Sequence, residues 1–128
     1  MGFIPYSYDH GQPLPWEYHK CSGGSIAQGL CMAYAGGKLA KSAAPGYIAM
    51  CDMTGAPDGT LIPVVRLTEE AVFEAPLAAA AEGLVPGSKA GVSEDGLGIS
   101  AGAAVKNIEI IDLDGTAKGD KCRCRFVG

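Results

Sequence analysis

The chain has 128 residues, 48% of them apolar and 19% charged, with a net charge of −4, which suits one compact domain with a modest core. No cluster of Lys and Arg builds the basic face that phosphate neutralisation needs, so nucleic acid is not expected as a partner. No apolar run approaches the roughly 18 residues of a membrane-spanning helix, and the amino end lacks the basic-then-apolar order of a signal peptide, so folding in a cytosol without a membrane is expected.

Five cysteines, at 21, 31, 51, 122 and 124, are odd in number and fit no paired disulfide framework; free thiols are expected. Nineteen glycines and eight prolines, with many Val, Ile, Thr and Ala and few Leu, point to short strands joined by tight turns. The fold class read from this is mainly β. A small barrel or sandwich of about eight short strands is expected, with an extended N-terminal arm and at most one short helix.

Residues 1–20, MGFIPYSYDHGQPLPWEYHK, differ from the rest. They hold Phe3, Tyr6, Tyr8, Trp16 and Tyr18, five of the nine aromatics, among Pro5, Pro13 and Pro15, whose fixed φ and missing N–H favour an extended path. The segment reads as an arm joined near residues 20–29 to a β domain over 21–128. On this reading the domain folds without it. Rings on an extended segment need a groove, on their own domain or on a neighbour, so these five side chains are the candidate partner-binding residues.

LCMAYAGGKLAKSA predicts two strands about a Gly36-Gly37 hairpin, because paired glycines supply the positive φ of a two-residue turn. GYIAMCDM predicts one strand, followed by a Pro57-Asp58-Gly59 turn into TLIPVVRL. Pro63 removes a ladder donor there, which predicts an edge strand or a bulge. AVFEA alternates as a strand, and LAAAAEG reads as a short helix or turn. VPGSKAGVSEDGLGIS predicts two short strands separated by turns, and VKNIEIIDLD and KCRCRFV predict a terminal pair joined through Gly115 to Asp120.

In KCRCRF, alternate residues share a face, so Cys122, Cys124 and Phe126 point one way and Lys121, Arg123 and Arg125 the other. A zinc site needs four ligands, and CxC on a strand offers two with nothing of matching spacing elsewhere; core-facing thiols are expected, with no cofactor. His10 and His19 lie in the arm, which offers a catalytic histidine neither a rigid scaffold nor an orienting partner. No phosphate-binding glycine loop follows a strand and opens a helix. Asp52 and Asp58 bracket a turn, and Asp112 and Asp114 flank Leu113, both common in turn building. Cys51 beside Asp52 is the one nucleophile that an enzyme reading finds.

The order GKLA (37–40), GYIAM (46–50), AVFEAP (71–76), VPGSKAGVSEDG (85–96) and GDKCRCRFV (119–127) resembles short tailed-phage proteins encoded among head genes, and more loosely the lambda-type head decoration proteins that cement capsids. The resemblance implies a structural role on the outside of a virion, stabilising contacts between subunits of the major capsid protein. It also implies a homo-oligomer, often a trimer, and no catalytic residue. The rival expectation is a small-ligand or carbohydrate-binding β-barrel module, which needs aromatics on rigid strands near one mouth.

Overall fold

The computed structural model describes residues 2–7 and 15–127. Their secondary structure is thirteen short strands with no helix among the described residues. In chain order these are β1 (Ile4–Ser7), β2 (Trp16–Lys20), β3 (Gly24–Ile26), β4 (Cys31–Ala35), β5 (Lys38–Lys41), β6 (Tyr47–Ala49) and β7 (Met53–Ala56). They continue with β8 (Leu61–Arg66), β9 (Val72–Pro76), β10 (Lys89–Val92), β11 (Ile99–Ser100), β12 (Ile108–Leu113) and β13 (Lys121–Phe126). All pair antiparallel, in a six-stranded sheet β1-β9-β13-β12-β10-β11, a five-stranded sheet β2-β8-β6-β4-β5 and a two-stranded ribbon β3-β7. The fold is therefore all-β and sandwich-like, and not a closed barrel.

Two cores follow from the alternation of side chains. Phe3, Phe73, Ile108, Ile110, Cys122, Cys124 and Phe126 on the inner face of the six-stranded sheet pack with Cys31, Ile48 and Val65 from the five-stranded one. The opposite face of the five-stranded sheet carries Met32, Leu39, Tyr47, Ala49, Ile62 and Val64, which gather with Ile26 from β3 in a second cluster. That sheet is buried on both faces, which is why LIPVV reads as a continuous apolar run rather than an alternation. It curls until its two edges meet at one parallel bridge between Cys21 and Leu39, with the Ser22 N–H donating to the Leu39 carbonyl at 2.9 Å.

The turn chemistry acts where expected. Gly36 and Gly37, at φ 61° and 86°, close the β4–β5 hairpin. Pro63 lies in β8, a central strand between β2 and β6 rather than an edge, and no bulge forms at it. Its missing donor is accommodated because β6 ends there: Ile48 pairs with Val65, the Met50 N–H still donates to the Pro63 carbonyl at 2.9 Å, and the return bond is the one that Pro cannot make. GYIAMCDM is accordingly broken into β6 and β7, with the Asp52 carboxylate accepting the Gln28 N–H between them.

LAAAAEG takes the turn alternative, and the described residues of the amino-terminal segment lie within the sheets. LAAAAEG forms turns, because its backbone bonds run to distant partners: Leu77 N–H to the Asp120 carbonyl, Ala78 to Ile99 and Ala81 to Thr116. Residues 2–7 and 15–20 are built into the two sheets rather than appended to 21–128. Phe3 is fully buried and its ring lies 5.3 Å from that of Phe126, which meets Phe73 at 5.9 Å. The Phe3 N–H donates to the Gly29 carbonyl, and Gly2 and Gly29 approach so closely that a Cβ on Gly29 would stand 2.6 Å from the Phe3 nitrogen. β1 pairs with β9, and β2 pairs with β8 without a register shift. Prolines suggest an arm but are equally at home on sheet edges, which is where β1 and β2 lie.

Candidate functional site

The five aromatics singled out from the sequence part company. Phe3 is core. Tyr6, 57% exposed, sits at the β1 bulge on the outer face of the six-stranded sheet, where the Arg123 guanidinium lies 5.6 Å from its ring centre. Tyr8 lies outside the described residues, as does His10. Trp16 and Tyr18 alone stay together, two residues apart on β2 and therefore on one face.

Register completes that patch. Tyr18 stands opposite Pro63 and Lys20 opposite Leu61, and directly opposed residues share a face. Trp16, Tyr18 and Leu61 are 55%, 64% and 57% exposed. Trp16 is opposite Val65, which is buried between the sheets, so this face of β2 is the one turned toward the sandwich interior, and β2 with the start of β8 overhangs it. The result is an apolar flank on a hydrogen-bonded strand.

The other face of β2 carries a group that sequence reasoning passed over. Glu17 and His19 point into the curl of the five-stranded sheet, toward Tyr34 of β4, Tyr47 of β6 and Arg66 of β8. His19 Nδ1 bonds the Tyr34 hydroxyl, and His19 Nε2 lies 2.9 Å from Glu17 Oε1. Arg66 donates to both Glu17 oxygens at 3.0 Å and its guanidinium lies 5.2 Å from the Tyr47 ring centre. The His19 and Tyr47 rings are 4.8 Å apart. With Nε2 donating to Glu17, the tautomer that leaves Nδ1 free to accept the Tyr34 O–H satisfies both ring nitrogens. The bonds from Arg66 first, and from His19 next, hold the Glu17 carboxyl down at about 2. His19 thus has the rigid strand and the orienting carboxylate that an arm would deny it. The signal available was the alternation in WEYHK, which segregates Glu and His from Trp, Tyr and Lys.

The remaining candidates are structural in geometry. Cys122 and Cys124 are fully buried in the core between the sheets, as the alternation of KCRCRF predicts. Desolvation raises the thiols of Cys31 and Cys124 far above their ordinary range and pushes Cys122 up to about 11, the reverse of what a nucleophilic thiolate requires. Burial, and then the Asp52 charge, also raise Cys51. On the outer face, Arg123 is wrapped by Glu74 at 3.4 Å and by Asp112 and Asp114 at 2.7 Å each, and these bonds hold both aspartates below their usual range. Asp52 and Asp95 border a surface groove of about 560 Å³ floored by Ile26, Leu30, Met53 and Leu97. Both are occupied locally, Asp52 by the Gln28 N–H and Asp95 by the Ser93 hydroxyl and the Leu97 N–H, the ordinary work of Asp in turns.

Among the described residues, no group of three or more His, Cys, Asp and Glu side chains is arranged to hold a metal ion. No family model, no curated protein and no solved structure matches the chain.

Proposed function

We propose that this chain is a structural protein of a virus head that docks on the major capsid protein through the apolar flank of β2. The observation that carries the reading is the triplet Trp16 and Tyr18 on β2 with Leu61 at the facing start of β8, each more than half exposed. Its order of segments supplies the capsid context by resemblance, and the raised thiols and locally satisfied aspartates support a role without turnover.

Magnitude says how such a flank works. Burying the exposed halves of three large apolar side chains contributes roughly 2–5 kcal/mol before association costs are subtracted. One copy alone binds weakly. A lattice that presents many sites converts weak docking into stable coverage through effective concentration, which suits a capsid better than an isolated soluble partner.

Co-sedimentation with heads of the virus that encodes the chain tests this. Wild-type protein is expected to pellet with heads, and a Trp16→Ser, Tyr18→Ser variant that retains its fold is expected to lose at least tenfold in apparent affinity. Equal pelleting of the two proteins sinks the β2 assignment, and no pelleting of wild type sinks the capsid reading. The carbohydrate-module alternative gains one point from the structure, since Trp16 and Tyr18 stand on a paired strand rather than on a loose arm. It predicts quenching of Trp16 fluorescence by soluble oligosaccharides in the absence of heads.

A further inference from the structure

We infer that the polar end of the curled five-stranded sheet is a binding site for an uncharged sugar ring, held by Arg66 and Tyr47 against the ring of Tyr34. This goes beyond the docking reading and does not depend on it, since the site lies on the other face of β2 from Trp16 and Tyr18. Strand alternation puts Glu17 and His19 of β2, Tyr34 of β4, Tyr47 of β6 and Arg66 of β8 on the face that carries Met32, Ile62 and Val64. Exposure is graded across the five. Tyr47 is 9% exposed, the His19 and Glu17 side chains are 20% and 29% exposed, and Tyr34 and the Arg66 side chain reach 49% and 58%. The group forms a shallow cup with Tyr47 at its floor, resting on the apolar cluster of that sheet.

The hydrogen-bonding capacity left over in the cup defines its ligand. Arg66 gives its Nε proton and one Nη2 proton to Glu17, so both Nη1 protons and the second Nη2 proton have no partner among the described residues. That free end has a fixed direction, because Glu17 holds the side of the guanidinium and the Tyr47 ring lies against it, 5.2 Å from centroid to Cζ. The Tyr47 hydroxyl makes no hydrogen bond among the described residues either, although the residue is nine-tenths buried, and solvent still reaches it. Tyr34 spends its proton on His19 and keeps an oxygen lone pair.

The charges of Arg66 and Glu17 cancel, so the cup offers oriented donors, one acceptor and a half-exposed ring with no net charge between them. An anionic ligand would approach the Glu17 carboxylate and a cationic one the Arg66 guanidinium; a neutral ring meets no like charge. Neighbouring hydroxyls of a pyranose accept from Arg66 and Tyr47, another donates to the Tyr34 oxygen, and the apolar C–H face of the sugar lies on the Tyr34 ring. Tyr34 and Tyr47 come from paired strands at one end of a curled sheet, the placement that a sugar-binding module needs. A few hydrogen bonds and one ring face on a shallow site give an affinity of about millimolar for a single sugar unit.

Titration of the full chain with the methyl glycosides of mannose, galactose and N-acetylglucosamine, followed by NMR of backbone amides and arginine side chains, tests the site. At least one of the three is expected to shift the signals of Tyr34, Tyr47 and Arg66 and to saturate. Tyr47→Phe is expected to weaken that binding about fivefold, the worth of one hydrogen bond, while leaving the urea midpoint in place, because the hydroxyl bonds nothing in the described fold. Arg66→Lys keeps the charge but loses the planar donor set, and is expected to weaken binding about tenfold with the fold checked by circular dichroism. The Trp16→Ser, Tyr18→Ser variant is expected to bind the sugar as wild type does. No shift with any of the three at roughly 100 mM, sodium acetate bound as tightly as the sugar, or full affinity in Tyr47→Phe overturns the inference. So does a loss of sugar binding in the Trp16→Ser, Tyr18→Ser variant. Wild type that pellets with heads but binds none of the sugars overturns this site while leaving the docking reading standing.

Discussion

Cys124 and Cys51 mark the two ends of a gradient in thiol environment. Cys21, Cys31, Cys122 and Cys124 are all fully buried, whereas Cys51 is only partly so, and a buried thiol reacts neither as thiolate nor by access. Under mildly alkaline alkylation of the native protein, Cys51 is expected to react first and the other four only after denaturant is added, as mass spectrometry of the labelled peptides will report. Rapid labelling of Cys122 or Cys124 in native protein would instead place chemistry on the last strand. The inward face of KCRCRF was legible from alternation alone. The surroundings of Arg123 were not, because Glu74 comes from β9, 49 residues away in sequence, and Asp112 comes from β12 across the hairpin. Alternation says which way a side chain points and is silent on what meets it.

At the scale of elements, β2 divides its labour between two faces, and the inner one sets an acid dependence. The Glu17 carboxyl is held at about 2, below its ordinary 4.5, by Arg66 and then His19. A folded-state value below the unfolded one stabilises the protein above the unfolded value, and that contribution is lost as pH falls from about 4.5 through about 2. Glu17→Gln is therefore expected to lower the urea midpoint at neutral pH and to converge on wild type near pH 2. The variant keeps an acid limb of its own, since Asp95, Glu109, Asp112 and Asp114 are also depressed. A gap between the two proteins that stays constant from neutral to acid would mean that Glu17 acts through packing alone. Local signals of this kind travel unevenly from sequence to element. Gly36-Gly37 announces its hairpin because only glycine fits positive φ there at little cost. The break after Ala49 depends on Pro63 in a strand brought alongside by the fold, and LAAAAEG loses its helical preference to tertiary bonds from Asp120, Ile99 and Thr116. Both are decided by partners far away in sequence.

For the whole molecule, the amino-terminal twenty residues are the part whose role changes most between sequence and structure. Phe3 is a member of the core between the sheets, β1 covers the outer edge of β9, and β2 covers β8 and supplies the edge that reaches β5 through Cys21. Losing a buried Phe side chain costs about 3–5 kcal/mol, against the roughly 5–15 kcal/mol that holds a typical domain folded. Deleting residues 1–20 adds to that loss the exposure of two further strand edges and of the apolar faces beneath them. The fragment 21–128 is therefore expected to show no cooperative thermal transition, whereas Phe3→Leu in the full chain, which keeps most of the volume, is expected to cost only about 1–1.5 kcal/mol and to melt cooperatively. Because β1 and β2 dock on strands that the fragment retains, a peptide of residues 1–20 added in trans is expected to restore the transition in a concentration-dependent way. A fragment that melts cooperatively without the peptide would return the segment to the status of an arm. Restoration by the peptide would show that the two sheets are assembled around their amino-terminal edges, and that any docking by Trp16 and Tyr18 is done from inside the fold rather than from a tether.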